Sequence, residues 1–187
     1  MKLALVDVET TGLQAGRHRV IEAGCLIVDV TPKGIEEVGQ PLVFRHRIDR
    51  KIHAWEDGAF RVNGYRDDHP DWAGMPDVDS AQAKSNWHTL LALASRLPLC
   101  SQNVPFDRAF MDAEVQKHGL RPSWGFRFVD IMSFSFLGAV KIGAEKFGLH
   151  DVYSALGGPP LEEHRSLADI RRGLFVMQQA HKAYFTP

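Results

Sequence analysis

The stretch LALVDVETTG, residues 3–12, sets two acids inside a run that otherwise reads as a core β-strand. Successive side chains of a strand alternate between faces, so residues two apart share one face. Leu3, Leu5, Asp7 and Glu9 therefore line one side, and Ala4, Val6 and Val8 the other. Carboxylates stacked at the end of a core strand repel each other and resist removal from water. Something elsewhere in the chain must compensate them.

The totals set the bounds. With 187 residues, 44% hydrophobic and 24% charged, the chain has the size and composition of one globular domain, 1–187. A net charge of −1 gives no global basic footprint, so the balance neither favours nor excludes a nucleic-acid partner. Cys25 and Cys100 both sit in apolar surroundings, which points to buried thiols in a reducing compartment rather than a disulfide or a metal site. No segment is long and apolar enough for a membrane span, and Asp7 breaks the first apolar run too soon for a signal peptide. The expectation is a cytoplasmic protein with no membrane partner.

Residues 2–8, 19–30 and 36–48 read as three strands, with TPKG (31–34) turning between the last two. From about residue 55 short polar helical pieces lead through a Pro/Gly/Asp-rich loop to a helix at 81–95. A short strand follows in LPLCSQ, then a helix from Pro105 to His118, a strand in WGFRFVDIM, a short helix, the segment KFGLHDVYSALG and a last helix over 166–183. Meandering strands followed by strands alternating with helices predict one α/β domain with a mixed, five-stranded sheet flanked by helices.

Two further places pair an acid with a suggestive neighbourhood. In SQNVPFDRAF (101–110), Pro105 suits the first turn of a helix and Asn103 its cap. Asp107 then stands near the helix start, where it either favours the helix dipole or projects toward the carboxyl edge of the sheet. In EEHRSLADIRRGLFVM (162–177), Ser166 and Asp169 have the form of a capping box. Leu167, Ile170, Leu174 and Met177 make one apolar stripe; Asp169, Gly173, Val176 and Ala180 make a second line, in which Gly173 permits close approach. An Asp169 on that line looks inward. His164, five residues earlier, reaches the same place only from a loop, because five residues turn roughly 140° around a helix.

D-x-E at a strand end, N-x-x-F-D opening a helix and H-x-x-x-x-D opening the last helix follow one another in this order. Together with FRVNG and FVDIMS they resemble the DEDD-type 3′→5′ exonucleases, in the subgroup whose third motif carries a histidine. That family includes the proofreading subunit of bacterial DNA polymerase III and ribonuclease T, and the resemblance runs over nearly the whole chain.

The resemblance implies a ribonuclease-H-like fold and a two-metal phosphodiester hydrolysis. Asp7, Glu9, Asp107 and Asp169 would be the metal-binding acids and His164 the general base. Two Mg²⁺ or Mn²⁺ ions, which favour hard oxygen ligands, would compensate the paired acids. Thr10 and Thr11 would offer backbone N–H groups near the terminal nucleotide, and Leu13, Val62, Asn63, Asn103 and Phe106 would line its site. The implied partners are 3′ ends of single-stranded DNA, or of RNA in the alternative of an exoribonuclease or oligonucleotide-trimming enzyme. A catalytically dead binding module is a third reading, which the presence of all four acids and the histidine opposes.

Departures from the pattern are Gln102, where many relatives carry His, and Asn63, which replaces the His often found before the glycine equivalent to Gly64. Asp130 matches a common family acid with a structural role. The sequence stops soon after the last helix, so no segment resembles the tail with which some proofreading subunits bind their polymerase.

Overall fold

The computed structural model describes residues 1–141, 148–161 and 164–185. Of the stretches quoted above, Lys146, Phe147, Glu162 and Glu163 lie outside those residues. The strands are β1 (Lys2–Thr10), β2 (Val20–Thr31), β3 (Gly34–Glu37), β4 (Leu42–Arg45), β5 (Leu99–Ser101) and β6 (Phe128–Asp130). The helices are α1 (Asp57–Asn63), α2 (Ala81–Leu93), α3 (Val104–Lys117), α4 (Ile131–Lys141), α5 (Leu149–Ala155) and α6 (Ser166–Phe185).

The sheet has six strands in the order β3-β2-β1-β5-β6, with β4 also paired to β2. The predicted strand 36–48 is two strands, because Gly39 adopts a positive φ of 78° and Pro41 follows, which interrupts the ladder. β3 pairs Val28–Thr31 and β4 pairs Glu22–Cys25, so both borrow different halves of the long β2. β5 joins β1 in parallel, and β6 joins β5 in parallel, each after a helical crossover. All parallel strands therefore end at the same edge as β1, where Asp7 and Glu9 stand.

The alternation in β1 holds. Ala4, Val6 and Val8 pack on α2 and α3, against Trp87, Leu90, Phe110 and Met111. Leu3 and Leu5 face the other way, onto Ile131, Leu174 and Met177 of α4 and α6. Asp7 and Glu9 continue that second face, so the helix that meets them is α6. Cys25 and Cys100 are buried free thiols, each pushed up to about 12 by burial.

Two glycines let α6 come close. A β-carbon on Gly173 would lie 2.5 Å from Ile131 Cδ1 of α4. One on Gly24, which pairs with Asp7 across the β1–β2 ladder, would lie 2.8 Å from Ile170 Cδ1 and 3.0 Å from Ser166 Oγ. Gly24 thus leaves the space that the first turn of α6 occupies beside the acids. Gly24→Ala is expected to cost about 1–3 kcal/mol by overpacking, read from the shift of the urea unfolding midpoint at unchanged slope.

Candidate active site

The paired acids of β1 are joined by a third from α6. Oxygens of Asp7, Glu9 and Asp169 all lie within 4.8 Å of one another, and this is the only such group of potential metal ligands among the described residues. The two strand acids owe their common face to the pleat; Asp169 arrives because α6 lies flat on Gly24. Its neighbour Ala168 and its helical successors Ile170, Gly173 and Leu174 are buried, as an inward-looking Asp169 requires.

Burial and like charges raise the two strand acids of this cluster. Asp7 is raised well above the usual carboxylate range, first by burial and then by the charges of Asp107, Glu9, Asp169 and Glu22. Glu9 is pushed up to about 8 by burial and by Asp169 and Glu22, against a smaller opposing pull from Arg165. Asp107 is raised to about 7 by burial, in spite of its hydrogen bonds. Hard oxygen donors that repel one another to this degree fit a divalent cation, whose charge removes the penalty.

Asp107 stands at the start of α3 on its buried face, with Val104, Met111 and Glu114. It lies outside the group of three converging carboxylates. Its Oδ1 accepts the Val8 N–H at 3.2 Å and its Oδ2 accepts the Ser101 hydroxyl at 2.7 Å, which locks it between β1 and β5. Asn103 is the residue before the helix, but its side chain makes no capping bond and is exposed. Phe106 is half-buried, packed on the α2–α3 core and 4.8 Å from the Phe110 ring.

His164 is exposed, with a positive φ of 50° in the loop leading to α6. It shares a cavity of about 370 Å³ with Gln102, Asp169 and Arg172. The loop position that the five-residue spacing required is therefore the one observed.

Several substrate-site expectations meet groups already occupied. The Thr11 N–H donates to the Arg19 carbonyl at 2.9 Å, so it is not available to a nucleotide; its hydroxyl donates to Ala54 at 2.7 Å. The Thr10 hydroxyl donates to the Gly12 carbonyl at 2.7 Å. Asn63 is buried, its amide donating to the Thr10 carbonyl at 2.9 Å and accepting the Tyr65 N–H at 3.0 Å. Asn63 thus pins the end of α1 to the end of β1, with one of its two amide N–H donors spent on Thr10. Val62 next to it and Leu13 beyond Gly12 are 53% and 75% exposed, large apolar side chains left open beside the acids.

Three residues escaped the sequence reading. Glu22 on β2 stands directly opposite Glu9, a like-charge pair that costs stability unless compensated. It is compensated fully: its Oε1 accepts both the N–H and the hydroxyl of Ser166, each at 2.8 Å, and its Oε2 accepts Arg45 Nε at 2.5 Å. Ser166 therefore spends its hydroxyl on the sheet rather than on a capping box. Arg165 lies 4.4 Å over the Trp72 ring and bonds Asp71 at 2.5 Å. Arg172, buried one turn after Asp169, donates to Asp169 Oδ1 and to the Leu161 carbonyl. The signal for Glu22 was of the same kind as that for the β1 pair, an acid inside an otherwise apolar strand. Asp130 accepts the Ser133 N–H at 2.6 Å and caps the start of α4, the structural role expected of it.

No protein-family model matches the chain. Oligoribonuclease of Corynebacterium efficiens is 24% identical over 196 residues, aligning 98% of this chain with 79% of its own length. That of Corynebacterium glutamicum (strain R) is 24% identical over 194 residues, with 98% and 80% covered. Among solved structures, a zinc-bound complex of E. coli exonuclease I with single-stranded DNA superposes with a TM-score of 0.75 at 17% identity. Its complex with a dT13 oligonucleotide gives 0.76 at 15%. Each alignment covers 98% of this chain, which spans about 40% of the length of those exonuclease I chains. The fold is ribonuclease-H-like. The relatives named above and the fold agree with the resemblance read from the motifs.

The raised acids fix the sign of a pH effect. Protons bound by Glu9 and Asp107 in the folded state, up to about 8 and 7, are already lost from the unfolded chain above the ordinary 4.5 and 3.8. The cluster's contribution to stability is thus fully present below pH 4 and is lost as pH rises toward 8. Calorimetry of the metal-free protein should show Tm falling across that interval, and millimolar Mn²⁺ should remove most of the fall. A Tm insensitive to both pH and Mn²⁺ would contradict the clustered, uncompensated acids.

Proposed function

We propose that the protein is a metal-dependent 3′→5′ exonuclease that removes nucleoside 5′-monophosphates from single-stranded DNA. The observation that carries this reading is the convergence of Asp7, Glu9 and Asp169 at the carboxyl edge of the sheet. A second reading, short RNA as substrate, is favoured by the two relatives named oligoribonuclease. Discrimination rests on room for a 2′-hydroxyl beside the terminal sugar.

In this proposal Asp7, Glu9 and Asp169 hold divalent cations, Mg²⁺ or Mn²⁺, and Asp107 completes the set through the lone pairs its two hydrogen bonds leave free. Bound there, two cations would lower the pKa of water and stabilise charge on the attacking and leaving oxygens. His164 takes the proton from that water on an imidazole nitrogen, which its loop position above Asp169 allows. The water oxygen would bond phosphorus, the bond from phosphorus to the upstream O3′ would break with O3′ taking up a proton from solvent, and the terminal nucleotide would leave as a 5′-monophosphate. Leu13, Val62 and Phe106 would hold the terminal base by apolar contact. Arg172 keeps one oxygen of Asp169 fixed, so that the other faces the β1 acids.

End-labelled DNA and RNA oligonucleotides incubated with Mg²⁺, Mn²⁺ or EDTA test the reading. Single-nucleotide products from free 3′ ends are expected, with loss of activity in EDTA, in Asp7→Ala and in Asp169→Ala while both variants stay folded. Rapid cutting of circular single-stranded DNA would overturn the exonuclease reading.

His164→Ala is expected to lower single-turnover hydrolysis by roughly 10²–10⁴-fold while Mn²⁺ affinity, measured by calorimetry, changes little. Equal rates for the two proteins would remove His164 from the mechanism and leave the metal site standing.

A further inference from the structure

β6 is an end strand of the sheet among the described residues, and its first residue, Phe128, and Phe126 in the segment leading into it are two phenylalanines that no core accounts for. Phe126 is 80% exposed and Phe128 51%, and neither joins any of the three hydrophobic clusters. Isolated apolar side chains are ordinary on surfaces, but two aromatic rings one residue apart, interleaved with arginine, are a defined feature. The Arg127 guanidinium lies 5.3 Å over the Phe126 ring. Arg108, next in sequence to Asp107, reaches the Phe126 carbonyl at 3.5 Å with Nη1 and Asp112 at 3.7 Å with Nε. Trp124 Nε1 donates to the same Asp112 at 2.7 Å, which holds the segment before β6 against α3.

The register ties this edge to the acids. Asp130 pairs with Ser101 and Phe128 with Leu99, and Ser101 is the residue whose hydroxyl holds Asp107. Two residues of strand are about 7 Å, so Phe128 begins a ledge that leads directly away from Asp107. Val129 turns inward to the α4–α6 core, which leaves Phe128 on the α3 side, with Arg108.

We infer that the Phe126–Phe128 ledge, with Arg108 and Arg127, binds the single-stranded nucleic acid upstream of its 3′ end, bases stacked on the rings and phosphates against the guanidinium groups. The inference rests on the hydrolysis proposed above and adds to it the path of the strand. Aromatic platforms flanked by cations suit single strands because every base has a π-face and every residue of the strand a phosphate. A second copy of this chain fits the ledge less well. A two-fold contact would press the same arginines against each other.

The test separates the ledge from the acids. Binding of a fluorescent 12-nucleotide DNA is measured by anisotropy in Ca²⁺ for the wild type, Phe126→Ala, Phe128→Ala and the double variant. Each lost stacking contact is expected to weaken binding about 5- to 150-fold. In Mg²⁺, the ratio of kcat/KM for the 12-mer to that for the 4-nitrophenyl ester of thymidine 5′-monophosphate, which has no upstream bases, should fall by a similar factor. Circular dichroism and Tm verify that the variants fold. Unchanged binding and an unchanged ratio would overturn the ledge. So would sedimentation in which the wild type is dimeric and Phe128→Ala monomeric, since a second copy would then cover it. A wild type that binds the 12-mer through these residues but hydrolyses neither substrate would overturn the proposed activity and leave the ledge intact.

Discussion

The bond between Glu22 and the first residue of α6 is the constraint on which the site depends. Glu22 sits on β2 opposite Glu9, buried, and would be an unaffordable third acid beside the β1 pair if it lacked partners. Ser166 gives it an N–H and a hydroxyl, and Arg45 gives it a guanidinium. The same contacts fix where α6 begins on the sheet. Asp169, three residues later and less than a turn away, is thereby set opposite Asp7 and Glu9. One buried carboxylate is neutralised within the protein, and Asp169 is held by Arg172, so that Asp7 and Glu9 can be placed beside them.

The asymmetry between those two kinds of acid separates structure from chemistry here. Glu114 lies at the far end of α3 from Asp107; it is buried and satisfied by Arg19 at 2.7 and 3.0 Å. Glu22 is satisfied in the same manner. Asp7 and Glu9 receive no such hydrogen bond among those described, and burial with like charges keeps protons on them. The fold answers Glu22 and Glu114 with arginine and serine and leaves Asp7 and Glu9 without such bonds among the described residues, an arrangement that suits a cation. Asp107 is intermediate, held by Val8 and Ser101 yet still raised.

The scaffold around the acids is equally divided. Asn63 and Thr11, by sequence the polar contacts of a terminal nucleotide, spend their groups on Thr10, Tyr65, Arg19 and Ala54. Those contacts hold the rim of the site in place. The apolar Leu13 and Val62 remain open above it. Such a division favours recognition of a nucleotide by its shape and stacking over recognition by hydrogen bonds to its edges.

The alternation of LALVDVETTG was enough to place Asp7 and Glu9 on one face, because the period of a strand is a local property of the backbone. The helix starts near Asp107 and Asp169 were legible for a similar reason, since Pro105 and the apolar stripes of α3 and α6 act over a few residues. The order of motifs then carried the resemblance and, with it, the fold. The split of residues 36–48 into two strands was missed although Gly39 and Pro41 marked it locally, because the run on both sides is apolar enough to read as continuous. What sequence did not contain was distance. That Glu22 meets Ser166, 144 residues away, that Asp107 is held by Val8 and Ser101, and that Asn63 turns inward all depend on contacts between segments remote in the chain. A polar side chain has the same identity whether it is answered or left open, and only the packing of β1, β2 and α6 against one another decides which.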